Sequence, residues 1–318
     1  MAFPTPVNAV RADGWLGNPY YQGNGPTNTP FVRDGQVHAM TPDWNTMAAV
    51  TTGSDYIKNL HDRYLPQEPR EDEDAYLGRI YRSVLSPFCL RLIENAAGLV
   101  LRRPIQIDGD DYWKDFSKNV DGLGSSINEY ARRALVSSLT YGHSAILVDY
   151  PTDPGIITLR DELQLGRRPY FINIDAHQIW GWRQESTLPS SKLTQVRLHE
   201  WVCVPEGDFG EKREEQIRVI YPGRYETWNT EGLISSGTYS LDSIPLIPIY
   251  SNRVGMLTSK PPLVDIASLN ITHYQRQADL INALHIAAMP ILVLEGWDDQ
   301  PEGTSVGVNY GLSTIPGN

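Results

Sequence analysis

Histidines and carboxylates are the side chains of this sequence that could hold a metal ion or move a proton. Asp265, His273, Asp279 and His285 are among those in the stretch LVDIASLNITHYQRQADLINALHIAAMPILVLEG. This stretch has the pattern of one long helix that Pro290 stops. The two histidines lie several helical turns apart, which is too far for one metal ion to bind both. We therefore predict no metal site and no catalytic group here.

Other motifs that could carry chemistry are incomplete. The acidic run IDGDDYW lacks the alternating ligands and closing glutamate of a calcium loop, and its acids are interpreted as helix-start or surface residues. GLGSSI follows no predicted strand and lacks the third glycine of a dinucleotide loop. The sequence has no HExxH and no GKS/T motif. We predict no cofactor. Separate acids and bases that the fold brings together stay possible.

Composition narrows the class of protein. The 318 residues are 41% hydrophobic and 20% charged, as in folded proteins, and the length suggests about two domains. A net charge of -11 argues against tight nucleic-acid binding, because such binding depends on Lys and Arg releasing counterions from phosphates. The same charge suits a protein past which nucleic acid must slide.

Cysteine usage and the N-terminus bear on the compartment. Cys89 and Cys203 form no CxxC pair, so a reducing compartment is the simpler assumption. We find neither a secretory signal nor an apolar run of about 18 residues, and we predict no membrane association.

The elements change in type along the chain. Residues 1–53 are rich in Pro, Gly, Asn and Thr, and they predict an extended arm (taken as residues 1–55) that docks on a partner surface. Its aromatic residues suggest the docking: Trp15, Tyr20, Tyr21, Phe31 and Trp44.

Helices are predicted next. The stretch REDEDAYLGRIYRSVLSPFCLRLIENAAGLVLRRP has apolar residues at three- and four-residue steps, and Pro87 should kink or split its helix near Leu85 or Ser86. Its predicted packing face consists of Leu77, Ile80, Val84, Leu85, Phe88, Leu92, Ala96 and Leu99. Ser126 and Glu129 have the spacing of a capping box, which opens a helix that runs to about Tyr141.

Strand patterns follow. SAILVDY, RPYFINI, IWGWR, TQVRLHEWVCV, QIRVIY and RYETW predict buried strands and an antiparallel meander. IPLIPIY has two prolines and is predicted to be an edge strand or a connector. The fold class is therefore α+β.

The long helix has polar residues on both sides of a helical wheel. A polar stripe runs along its length, and we expect this stripe to be Asp265, Ser268, Thr272, Gln275, Arg276, Asp279 and Asn282. The apolar side, which includes Ile266, Leu269, Tyr274, Ala278, Ile281, Leu284 and Ala288, is interrupted by Asn270, His273, Gln277 and His285. A helix with polar groups on its packing side fits best against copies of itself. A helix that bridges two domains of a monomer is the alternative.

Five segments in order resemble a family of tailed-phage portal proteins. They are RYLPQEPREDEDAYLGRIYRSVLSPFCLRLIENAAGLVLRRP, LVSSLTYGHSAILVDYP, RPYFINIDAHQIWGWR, KLTQVRLHEW and PPLVDIASLNITHYQRQADLINALHIAAMPILVLEG. The resemblance covers about residues 60–300 and excludes the arm.

The resemblance implies a domain order. Residues 56–255 would form a β-rich and helical wing, residues 256–289 a stem helix, and residues 290–318 the start of a clip. The family continues through the rest of the clip, a second stem helix and a crown, which we expect to be missing from this sequence.

The resemblance also implies a function. The protein would be a structural virion component that is not an enzyme, a homo-oligomeric ring, usually of about twelve copies, at one capsid vertex. It would assemble in the host cytoplasm and bind the major capsid protein, the large terminase and a tail adaptor. Double-stranded DNA would pass through its channel without sequence-specific binding during genome packaging and ejection. By this analogy the polar stripe lines the channel, while Asn270, His273, Gln277 and His285 lie at subunit interfaces.

Two other functions stay open. One is a metal-dependent or sugar-active hydrolase that uses His143, His199 and the pair Trp180 and Trp182, which we expect on one face of a strand. The other is a different virion part, such as a neck or capsid-attachment protein.

Overall fold

A computed structural model describes residues 29–151, 167–187 and 190–288. The described chain divides into two units, residues 29–52 with 87–268, and residues 53–86 with 269–288. Helices and antiparallel sheets both occur, and a long helix ends the described part, so the predicted α+β class is confirmed. Trp15, Tyr20, Tyr21 and the predicted clip segment 290–318 lie outside the described residues.

The first unit begins with helix α1, Gly35–Thr51, inside the segment predicted to be extended. That prediction is wrong for these residues. Asp34 caps the helix by accepting a hydrogen bond from the Gln36 amide, and Pro42 lies within it. The helix has buried residues on several sides, so it has no polar face and no clear amphipathic period.

The N-terminal segment packs on its own unit. The Trp44 indole is 2% exposed and donates a hydrogen bond to the Tyr141 carbonyl over 2.9 Å, while Phe31 packs against Trp180, Ile217 and Val219. A deletion that tests the predicted docking of the arm on a neighbouring subunit or the shell should therefore stop before Thr29. A longer deletion would remove part of this unit's core.

Three further helices belong to this unit: α5, Phe88–Val100; α6, Asp111–Lys118; and α7, Ile127–Tyr141. The predicted capping box of Ser126 and Glu129 is confirmed. Gly142 ends α7 with a φ of 90°. A Cβ atom at this position would lie 2.5 Å from Ser259 Oγ, so glycine is required both by the backbone and by the space.

The second unit contains α2, Ser54–Asn59; α3, His61–Tyr64; and α4, Glu73–Arg82. The long helix α8, Val264–Ala287, begins in the first unit and continues in the second from Leu269. The predicted break at Pro87 is confirmed, because α4 ends at Arg82 and α5 begins at Phe88.

The apolar face predicted across α4 and α5 is only partly buried. Ile80, Leu85, Cys89, Ile93 and Ala97 are buried, at most 8% exposed. Five other members of the predicted face are about half exposed or more, namely Leu77, Val84, Phe88, Leu92 and Leu99. The break at Pro87 ends the first helix before the second begins, so one continuous wheel does not describe both.

Three strands form one small sheet in the order β2-β1-β8: β1, His143–Asp149; β2, Tyr170–Asp175; and β8, Leu246–Tyr250. Both pairings are antiparallel. β8, which contains Pro248, lies at the edge as predicted. A two-stranded ladder joins β9, Arg253–Gly255, to β10, Thr258–Ser259.

Five strands form the predicted antiparallel meander in the order β3-β4-β5-β6-β7. Their bounds are β3, Ile179–Thr187; β4, Ser190–Glu206; β5, Gly210–Tyr221; β6, Arg224–Asn229; and β7, Gly232–Thr238. The sequence did not predict β7, whose Gly-Leu-Ile-Ser-Ser-Gly-Thr sequence has little apolar alternation. The core of the unit joins residues of α1, both sheets and the β9–β10 region.

Burial affects the chemistry of several side chains of the first unit. Cys89 is fully buried in α5, and burial raises the pKa of its thiol to about 11. Cys203 lies half-buried on β4, opposite Arg213 of β5. His143 is 1% exposed, its Nδ1 lies 2.6 Å from Ser259 Oγ, and burial lowers its pKa to about 4.

We predict that His143 makes the fold sensitive to acid. Because the pKa is about 4 in the folded chain and about 6.5 when unfolded, the unfolded chain takes up a proton first as pH falls. The free energy of unfolding should fall by up to about 3 kcal/mol between about pH 6.5 and 4 through this group alone. In urea unfolding followed by tryptophan fluorescence, His143→Gln should remove this part of the pH dependence.

The matched control for this experiment is His38→Gln, which replaces an exposed histidine of α1. The control should keep the pH dependence of the unchanged chain. Identical pH dependence in both variants would contradict the role assigned to His143.

Candidate functional site: the long helix

The packed face of α8 carries small and polar residues. Asn270, Tyr274 and Ala278 recur at four-residue steps and are at most 3% exposed. The Tyr274 hydroxyl lies 2.8 Å from Ser83 Oγ, and burial raises the pKa of this tyrosine. The Asn270 amide donates to the Ser86 carbonyl over 3.1 Å. Hydrogen bonds inside the second unit therefore supply partners for polar groups on this face.

A buried arginine holds three segments of the second unit together. Arg79 of α4 is 4% exposed and donates to both Glu71 oxygens over 2.8 and 2.7 Å. It also donates to the Pro66 carbonyl over 2.9 Å and to Asp279 of α8 over 3.3 Å. The hydrogen bond from Arg79 lowers the pKa of the Glu71 carboxyl. A buried guanidinium needs such acceptors, so this cluster joins α4 to the segment before it and adds a contact to α8.

Other members of the predicted polar stripe also contact their own chain. The Gln275 amide donates to the Tyr64 carbonyl over 2.9 Å, and the Asn282 amide oxygen accepts from Arg82 over 2.7 Å. Asp279 stays half exposed although it accepts from Arg79. Asp265, Ser268, Thr272 and Arg276 are exposed. The stripe thus contains residues bound to other segments of the second unit as well as exposed residues.

The residues predicted at subunit interfaces also differ in position. Asn270 is buried in its own chain, and this position leaves its side chain no surface to offer a neighbour. Gln277 is half-buried, and its amide oxygen accepts from Ser86 Oγ over 3.4 Å. His273 is exposed and His285 is half-buried. Apart from Asn270, whose environment disagrees with the prediction, the interface roles stay predictions, as do the channel-lining roles.

The exposed face of α8 has two strips. One strip is polar and consists of Asp265, Ser268, Thr272, Arg276 and Asp279. The other is apolar, with exposed fractions that run from 38% to 69%, and consists of Ile266, Leu269, Leu280 and Leu284. At 100° per residue the strips point in directions about 90° apart. Helical spacing placed Ile266, Leu269 and Leu284 on one side with Tyr274 and Ala278. Of these five residues, only Tyr274 and Ala278 are buried within the chain.

The histidines and tryptophans considered for hydrolase chemistry are all buried. His143 and Ser259 are in contact, but they are 1% and 4% exposed. His199 is 2% exposed, stacks on Trp180 at 4.2 Å between ring centroids, and lies 2.7 Å from a Glu215 oxygen. Burial lowers the pKa of His199. In the ranges that the structure describes, no group of three or more metal-ligating side chains is close enough to hold an ion.

The predicted tryptophan pair does not share one face of its strand. Trp182 packs in the core with Val196 and Leu198, whereas Trp180 packs with Ile217 and Val219. A shift of register between Ile179 and Gly181 interrupts the alternation of β3. Such bulges reorient side chains, so spacing alone predicted the pair wrongly.

A cavity of about 540 Å³ lies in the first unit, lined by β1, β2, β4, β5 and the β6–β7 region. Arg218 lies at its wall, where its guanidinium contacts Asp149 and Glu200 oxygens, each over 3.1 Å. Gln216 donates to the same Glu200 oxygen over 3.0 Å. The charged groups of the wall are thus bound to one another. The members of this cluster come from three strands, so no local sequence pattern indicates it.

Comparison with known proteins points to the long helix. Residues 262–314 match a family described as a domain of unknown function, DUF4055. The described part of this match, residues 262–288, contains the whole of α8. No curated protein matches the chain. Among the residues described, we find no helix with the length and apolarity needed to span a membrane.

We predict that Arg79 contributes far more to stability than its exposed partner. Arg79→Ala would leave the Glu71 carboxylate and the Pro66 carbonyl without their donor, and should lower the free energy of unfolding by about 3 kcal/mol. Asp279→Ala removes only a half-exposed partner and should cost less than about 1 kcal/mol. Urea unfolding of both variants checks this difference. Equal losses would show that the Arg79 cluster does not hold the unit together.

Proposed function

We propose that this chain is the structural portal protein of a tailed bacteriophage. It forms a ring at one capsid vertex and acts as a conduit for genome packaging and ejection. The proposal rests first on the five segments that resemble this family. The single structural observation that supports the proposal is the exposed face of α8.

Helix α8 packs against its own chain on one side. Its other sides expose the apolar strip and the polar strip. Leu269, Leu280 and Leu284 are each more than half exposed, which is costly for a monomer in water. In a ring of parallel helices, this apolar strip contacts the next copy. The polar strip then faces the lumen, because the two strips point about 90° apart.

The polar strip suits a channel for DNA. It carries Asp265 and Asp279 beside a single cation, Arg276, along with two hydroxyl side chains. Few fixed cations face the phosphates, so the duplex has few sites at which to stop. The chain's net charge of -11 also disfavours tight binding of DNA phosphates.

The remaining partners follow from the same proposal. The large terminase and the tail adaptor dock on the ring in turn, and the major capsid protein surrounds it. The buried positions of His143, His199 and the tryptophans offer no specific support to the hydrolase alternative.

Particle imaging and native mass measurement of the purified protein test the proposal directly. We expect closed rings of one copy number, about twelve, with α8 beside the central hole. A monomer at micromolar concentration would contradict it. Rings that occur in the virion neck, and not at the capsid vertex, would favour the neck-protein alternative.

We predict that Asp265→Lys/Thr272→Lys impairs DNA translocation without preventing assembly. The two positions lie two helical turns apart on the polar strip, and each added ammonium offers the phosphates a binding site. Packaged DNA per particle should fall several-fold, while native mass still shows complete rings. Asp279 is left unchanged, because a lysine there would lie against Arg79 and destabilise the second unit.

The control is Asp108→Lys/Asp242→Lys, which adds two lysines at exposed positions away from α8. It should package normally. Normal packaging by the Asp265→Lys/Thr272→Lys variant would refute the assignment of this strip to the lumen.

A further inference from the structure

The strands β4 and β5 continue beyond the five-stranded sheet as a two-stranded ribbon, which we define as residues 201–216. β3 pairs with β4 only as far as Leu198, and β6 pairs with β5 only from Ile217. Seven residue pairs extend the β4–β5 ladder past these points, from Glu200 with Gln216 to Glu206 with Gly210. Residues 204–212 are exposed throughout. A ribbon of this kind gains little from its own contacts, since isolated hairpins are marginal in water.

The tip of the ribbon presents an aromatic ring among acids. Phe209 is completely exposed, and Val204 is 38% exposed. Glu206, Asp208 and Glu211 lie next to or near Phe209 in sequence, and none of them has a basic partner among the described residues. Gly207, with a φ of 69°, forms the tight turn that fixes Phe209 at the end. An exposed phenylalanine held on a rigid turn is costly in water and is well suited to anchor an interface.

Helix α5 of the same unit presents the complementary surface, which we call the α5 patch. Its exposed apolar residues include Leu92, Leu99 and Val100, of which the last two are 74% and 67% exposed. Three exposed arginines accompany them without a carboxylate partner in the described part of the chain, namely Arg91, Arg102 and Arg103. Glu94 is the one acid between residues 88 and 105, and at 100° per residue it points about 120° to 160° away from Leu92, Leu99 and Val100.

We propose that the ribbon of one copy docks on the α5 patch of the neighbouring copy. Phe209 packs on Leu99 and Val100, and the tip acids face Arg102 and Arg103. Each surface is unlike the other, so the contact is head-to-tail, and contacts of this type form rings when the rotation from copy to copy closes. The inference rests on the proposed ring, and it names surfaces outside α8 that hold the ring together. Charge complementarity selects a second copy as the partner.

A charge-exchange experiment tests this contact. The ribbon variant is Glu206→Lys/Glu211→Lys, and the patch variant is Arg102→Glu/Arg103→Glu. Each variant alone places like charges across every interface, so rings measured by native mass should decrease about tenfold or more at equal concentration. Phe209→Ala should also reduce the rings. Circular dichroism checks that each variant is folded.

An equimolar mixture of the two variants should restore the rings. A lysine-bearing ribbon can then dock on a glutamate-bearing patch, while the acidic ribbon docks on the arginines of the other variant. Each restored ring should contain equal numbers of the two variants in alternation, which a mass tag on one variant reveals. The control Glu185→Lys/Glu231→Lys makes the same charge change at other exposed positions of the sheet and should assemble normally.

The outcomes separate this inference from the proposed function. Wild-type rings together with full assembly of all three variants would overturn the ribbon contact and leave the portal proposal standing. Such a result would assign the ribbon to a different virion protein. Absence of rings from the wild-type chain would overturn both. Loss of rings in the single variants with rescue in the mixture establishes the contact.

Discussion

The requirement that a buried guanidinium be surrounded by acceptors governs the second unit. Arg79 satisfies it with Glu71, with the Pro66 carbonyl and with Asp279. These partners lie on the segment before α4 and on α8, so one side chain determines how the unit's helices meet. The rest of the interface is built from Tyr274, a small alanine and a buried amide, which pack closely only in one rotation of α8.

That fixed rotation decides what α8 offers to other molecules. If the packed face carried large apolar residues alone, neighbouring rotations would be similar in energy. Hydrogen bonds to Ser83, Ser86, Tyr64 and Arg82 make the correct rotation specific, because a rotated helix would leave buried polar groups without partners. The polar and apolar strips therefore keep defined directions, which a channel of identical helices requires.

Local patterns predicted much of the fold. The capping box of α7, the break at Pro87 and the strands of the meander all depend on short-range chemistry that a single sequence displays. α1 was missed because burial on several sides removes the amphipathic period, and because Pro42 resembles a helix breaker. The exposed apolar strip of α8 was not separated from the buried Tyr274 and Ala278, since hydrophobicity alone does not reveal that Asn270 and Tyr274 find partners inside the chain. Arg79, Arg218 and the ribbon depend on contacts between distant segments, for which the sequence has no local signal.

The two cysteines differ in a way that has a practical consequence. The pKa of Cys89 is raised to about 11 in the interior of α5, so at neutral pH its thiol is protonated and a poor nucleophile. Cys203 lies half-buried on the ribbon, a few residues from Phe209. A maleimide dye would therefore attach selectively to the ribbon of the unaltered protein. The native chain thus already carries a position for a fluorescent reporter, and its emission can follow the surroundings of the ribbon without any engineered thiol.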